Sequence, residues 1–117
     1  MKFNEKNYKK INLYDVITLK FKENIHGFKT IKILVIEFRA KMSHSYPEAI
    51  RGVCIDEQLY ADGLPERWTS LFQFTAPIHV IEDFEFEDRS ILLYMVNMRS
   101  EFIQKAIESM DTENASI

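Results

Sequence analysis

The sequence predicts a single α+β domain: a mostly antiparallel sheet of four or five strands in meander-like order, one short helix, and a long carboxy-terminal helix packed on the sheet. Three observations lead there. Short runs alternate apolar and polar residues; the hydrophobic period lengthens to that of a helix near residue 64 and again after residue 88; and no linker, repeat or low-complexity tract divides the 117 residues. A chain of this length forms one core and buries about two thirds of the surface it exposes when unfolded. Hydrophobic residues make up 46% of it, including nine Phe and five Tyr, which is ample apolar area to offset the chain entropy lost on folding. The domain is expected to span 1–117, with 1–10 and 111–117 fraying at its ends.

The first strand is read in "INLYDVITLKFKE", where Ile17, Leu19 and Phe21 take one face and Thr18, Lys20 and Lys22 the other. "NIHG", containing Gly27, suits a hairpin connection to "FKTIKILVIEFRA". That second run alternates up to Ile33 and is apolar on both faces through Leu34, Val35 and Ile36, as a central strand would be. "KMSHSYPEA" reads as a loop because Pro47 disfavours a helical Tyr46. In "AIRGVCIDEQLY" a third strand turns Val53 and Ile55 one way and Ile50 and Cys54 the other.

Pro65 and Glu66 suit the start of a helix of about two turns, with Leu64, Trp68, Leu71 and Phe72 at helical spacing. "PIHVIEDFEF" returns to alternation, placing Ile78, Val80, Phe84 and Phe86 on one face and His79, Ile81, Asp83, Glu85 and Glu87 on the other. Glu82 interrupts the apolar face, which signals a bulge or an edge position. From Asp88 onward the pattern fits a long helix capped by Asp88 or Ser90, with Ile91, Met95, Met98, Phe102 and Ala106 in one stripe. Its start is apolar all round, so "SILLYMV" suits a strand equally well, and a homodimer contact as readily as a core.

The net charge of −3 hides a division. Residues 1–42 hold ten Lys and Arg against four acids, while the remainder holds five against fourteen. Such asymmetry guides partner choice, unless the sheet interleaves basic and acidic strands and cancels it.

The densest feature is acidic: Glu82, Asp83, Glu85, Glu87 and Asp88 lie within seven residues of one strand. At two-residue spacing the carboxylates of Asp83, Glu85 and Glu87 stand roughly 6–7 Å apart, close to the spacing of phosphates along a nucleic-acid strand. They are the predicted partner-binding residues, presented to a basic protein surface. The structural alternative is a charged edge that only resists aggregation.

No catalytic, cofactor or metal site is legible. His26, His44 and His79 have no metal-ligand spacing. Asp15 or Asp56 with Glu37 and Arg39 only approximates a nuclease-like set, and pairing of Glu37 with Arg39, Lys20 or Arg51 explains it better. Cys54 sits among apolar and acidic neighbours, which disfavour a thiolate. Arg99, inside the apolar arc of the last helix, calls for snorkelling or a carboxylate such as Glu82.

No apolar run reaches the ~20 residues of a membrane span, and the first residues lack the apolar stretch of a secretory signal, so a cytoplasmic location without membrane contact is expected. The leading expectation is a non-enzymatic interaction module or inhibitor, an analogy of size and composition extending to accessory proteins of phages and mobile elements. The alternative is a nucleic-acid-binding module using Lys9, Lys10, Lys20, Lys22, Lys29 and Lys32 with Tyr8, Tyr14, Phe21 and Phe28. No recognition signature accompanies those residues, and the pI near 5.6 is low for that role.

Overall fold

The computed structural model describes residues 1–55, 72–98 and 100–115. Within them lie a one-turn helix α1 (Glu5–Tyr8), strands β1 (Val16–Ile25), β2 (Phe28–Arg39), β3 (Ala49–Cys54), β4 (Gln73–Pro77) and β5 (Ile81–Phe86), and helix α2 (Glu101–Ala115). Two 3-10 segments, Ile78–Val80 and Arg89–Met98, precede and follow β5. The short helix expected over Leu64, Pro65, Glu66, Trp68 and Leu71 lies outside the described residues, as do Asp56 and Arg99.

All strand pairs are antiparallel, in the order β4-β3-β2-β1-β5. The first four strands form a meander, but β5 returns to pair with β1, which corrects the expected meander-like order. This return has a geometric consequence. Four inter-strand spacings of ~4.8 Å would hold the edges of a flat sheet about 19 Å apart. The connection from Pro77 to Ile81 contains three residues and spans at most about 14 Å even if fully extended. The sheet must therefore curl until its edges approach. Across the interior, the rings of Phe21 on β1 and Phe74 on β4 stack with centroids 5.7 Å apart, although two strands separate them in the sheet.

Local chemistry permits the curl. His26 and Gly27 both adopt positive φ (51° and 87°), forming the two-residue β1–β2 turn whose twist matches that of the strands it joins. The β2–β3 register slips between Val35 and Glu37, leaving Ile36 as an extra residue, and Gly52 lies opposite Val35 on one side and Phe74 on the other. A Cβ on Gly52 would stand 2.7 Å from Ile33 Cβ and 2.9 Å from the Leu34 carbonyl oxygen. Only glycine admits so close an approach of neighbouring strands.

The inner face carries Ile17, Leu19, Phe21, Ile31, Ile33, Val35, Ile50, Cys54, Phe74, Ala76 and Phe84, all buried. Val16, Leu34 and Val53 form a row on the opposite face and are also buried, so β2 and β3 are covered on both sides as their apolar runs required. Phe3 packs on Phe84 and Tyr8, and Tyr8 on Phe38, joining the first residues to the core by ring contacts. Residues 1–10 also include a backbone bridge from Lys2 to Asp83 and the helix α1.

Two further expectations are corrected. In β5 the register with β1 passes from Lys20↔Asp83 to Phe21↔Ile81, so Glu82 is bulged. The bulge reverses the alternation: Ile81, assigned to the outer face, is 2% exposed and shares the interior with Phe84, while Ile78 and Val80 belong to the 3-10 turn. The continuous helix from residue 88 does not form. Asp88 Oδ1 accepts the Ser90 N–H at 2.9 Å and starts a 3-10 segment, in which Leu92 and Met95, three residues apart, are buried. The buried Ser100 then begins α2, its carbonyl accepting from the Gln104 N–H at 3.1 Å and its Oγ from the Ile103 N–H at 3.5 Å. A side chain that satisfies free amides of a helix end favours starting a helix at that point over extending one through it. Helix α2 adds Ile103 and Ala106 to the core and lies chiefly against the 3-10 segment. Among the described residues no helix is long and apolar enough to cross a membrane.

Gly52 and Gly27 each hold a position that a larger side chain would strain. Gly52→Ala is expected to lower unfolding stability by roughly 1–3 kcal/mol through overpacking, and Gly27→Ala by about 1–2 kcal/mol through left-handed strain. Denaturant melts of the two variants measure both; a Gly52→Ala protein as stable as wild type would contradict the close approach of β2 and β3.

Candidate binding surface on strand β5

Strand β5 is held by its inward residues. Ile81 lies opposite Phe21 and Phe84 opposite Leu19, so the strand cannot rotate without exposing apolar surface. Asp83 and Glu85 then project outward, opposite Lys20 and Thr18. On the strand's other side, the Phe3 N–H donates to the Glu82 carbonyl (3.0 Å) and the Phe84 N–H to the Met1 carbonyl (2.8 Å), placing Lys2 beside Asp83. Asp83 thus stands between two lysine positions.

The five acidic residues of the predicted row have different surroundings. Glu82, on the bulge, is exposed, with Oε2 3.8 Å from Lys20 Nζ. Glu85 is exposed and accepts from the Met1 amine at 2.5 Å. Glu87 is half-buried and its Oε1 accepts the Thr18 hydroxyl at 2.7 Å. Asp88 is exposed, and its hydrogen bonds from Ser90 hold the carboxyl below the usual carboxylate range. The row runs along β5 and the two residues that follow it, but not as five equivalent carboxylates: Glu87 and Asp88 brace local structure, while Glu82 and Glu85 are the most open to solvent.

Thr18, Lys20, Thr30, Asp83 and Glu85, with Met1 and Phe84, line a shallow cleft of about 410 Å³ on the outer face of the sheet. Sequence reasoning missed this grouping because it depends on the register of three strands, Thr30↔Lys20↔Asp83. The sequence signals were the alternations that put Thr18 and Lys20 on one face of their strand and Asp83 and Glu85 on one face of theirs. The cleft combines a cation, two carboxylates and two hydroxyls, a set suited to polar contacts with a charged partner.

The other candidates resolve into structural roles. Glu37 Oε2 accepts from Arg51 Nη1 at 3.1 Å, the cross-strand pairing expected for it, and Arg51 also reaches Gln73. Arg39 donates to the Pro47 carbonyl at 2.9 Å and lies 5.7 Å from the Tyr46 ring centroid, which anchors the β2–β3 loop. Asp15 accepts from the Asn12 N–H, and no group of three potential metal ligands occurs among the described residues. Cys54 is in the core. His26 belongs to the hairpin turn and packs edge-on to Phe74, while His44 and His79 are exposed. For the basic-strand alternative, Lys20, Lys22 and Lys29 are exposed, but Phe21 is fully buried and cannot stack on a base.

One perturbed group was not foreseen. The Tyr8 phenol is pushed up to about 12 by burial and by the Glu48 carboxylate that accepts its hydrogen bond. Comparisons with protein-family models, with curated proteins and with solved structures give no significant match.

Because the folded phenol holds its proton more tightly than the unfolded one, this contribution to stability is complete below pH 10 and is lost as pH rises from 10 through about 12. Ultraviolet difference titration should show one tyrosine ionising near pH 12, and Tyr8→Phe should remove that step. An unchanged titration in the variant would mean that Tyr8 is not the displaced group.

Proposed function

We propose that this protein is a non-catalytic interaction module or inhibitor that presents the β5 carboxylates to a basic protein surface. Glu82, Asp83, Glu85, Glu87 and Asp88 define the face, with Glu82 and Glu85 making the direct contacts. The observation that supports this reading is that the two most open carboxylates have exposed partners: the Lys20–Glu82 side chains are 50% and 45% exposed, and Met1–Glu85 35% and 68%. Exposed pairs of this kind contribute about 0.2–1 kcal/mol each. Charge pairs buried at a protein interface couple by roughly 1.5–7 kcal/mol. A basic partner that excludes water therefore replaces the internal pairs at small cost. Glu87 and Asp88 frame the face without needing to release Thr18 or Ser90.

The test is affinity capture from host lysate at low and high salt, comparing wild type with Glu82→Lys/Glu85→Lys after circular dichroism confirms folding. Wild type is expected to retain a protein that the variant does not, and to release it as salt rises from about 0.05 to 0.5 M, where screening shortens the reach of surface charge. Equal retention by both proteins, or none by either, would reduce the acidic row to a solubilising edge.

A further inference from the structure

The backbone at the outer edge of β5 reveals how such a partner would dock. The Glu87 N–H donates to Val16 on β1, whereas the Glu82 carbonyl and Phe84 N–H point the other way, to Phe3 and Met1. From Asp83 to Phe86 the β1–β5 register is unbroken, so Phe86 shares the orientation of Phe84 and turns its N–H and C=O away from β1. Among the described residues, the edge therefore runs on past the three residues that pair with it. Phe86 is also 43% exposed, which places an apolar ring beside this stretch of backbone.

Residues 1–3 show what the edge accepts. They form an extended antiparallel segment with a lysine beside Asp83, an aromatic ring on Phe84 and an ammonium on Glu85. We propose that β5 is a strand-addition site for an extended basic segment of a partner protein, which displaces Met1–Lys2 and continues the pairing to Phe86. The inference rests on the acidic-face reading and specifies its geometry. Alternate lysines in the incoming strand would fall beside Asp83 and Glu85, while the residues between them meet Phe84 and Phe86. A second copy of this chain is a poor occupant, because pairing β5 with β5 would set two acidic rows against each other.

The probe is a ten-residue acetylated peptide alternating lysine with valine and threonine, titrated against the full chain at low salt. A control peptide of identical sequence is N-methylated at every backbone amide, so it keeps its charge but has no N–H on either edge to donate to a strand. Strand addition predicts that the first peptide slows hydrogen exchange at the Phe86 amide at least tenfold and binds at least tenfold more tightly than the control. Asp83→Lys/Glu85→Lys, which reverses the two carboxylates that the incoming lysines would face, should weaken it by a similar factor. Equal binding of both peptides without protection at Phe86 would overturn strand addition while leaving an acidic face that binds by charge. No binding of either peptide would overturn both readings.

Discussion

The three-residue connection between β4 and β5 governs this structure. It joins strands at opposite ends of a five-stranded order, and its reach is shorter than a flat sheet would require. Curling is the only solution, and the sequence meets it at specific points. Gly52 lets β2 and β3 approach, Ile36 and Glu82 absorb an extra residue each, and Phe21 and Phe74 fill the space that the curl encloses. The inner face is consequently a continuous aliphatic and aromatic core, and the polar residues are gathered on the convex side.

The same return of β5 determines the electrostatics. Read linearly, the chain is basic in its first 42 residues and acidic in the rest. Pairing β5 with β1 sets Asp83 against Lys20, and pairing residues 1–3 with β5 brings Lys2 and the Met1 amine to the other side of the acidic row. Part of the apparent dipole is thereby converted into short-range pairs, Lys20–Glu82 and Met1–Glu85. Exposure keeps those pairs weak, which is why a face already supplied with internal cations remains suited to exchanging them for external ones.

Local patterns read well where one side chain or one turn decided the outcome. The inward set Ile17, Leu19 and Phe21, the two-sided burial of Leu34 and Val35, the turn at Gly27 and the cap at Asp88 all follow from nearest neighbours or from simple alternation. Arg51 was one of three partners open to Glu37, and the β2–β3 register selected it. The irregularity at Glu82 was legible too, because a carboxylate in an apolar position is costly unless the strand bulges. Its effect on Ile81 was not, since one inserted residue reverses every side chain beyond it. The long helix after Asp88 failed for a related reason. A nearly uniform apolar run has no period of its own, and the buried Ser100 ended it by satisfying the first amides of a new helix.

By itself the sequence determined the class of domain, the approximate positions of β1 to β3 and their inward residues, and the existence of an acidic stretch, because these depend on hydrophobic period and turn chemistry over a few residues. Tertiary structure alone decided that β5 lies beside β1, that Thr18, Thr30, Lys20, Asp83 and Glu85 share a cleft, and that Tyr8 meets Glu48. Those juxtapositions join residues up to about 70 positions apart through strand register and chain closure. Nothing local encodes them; they are fixed by the requirement that one curled sheet enclose one core.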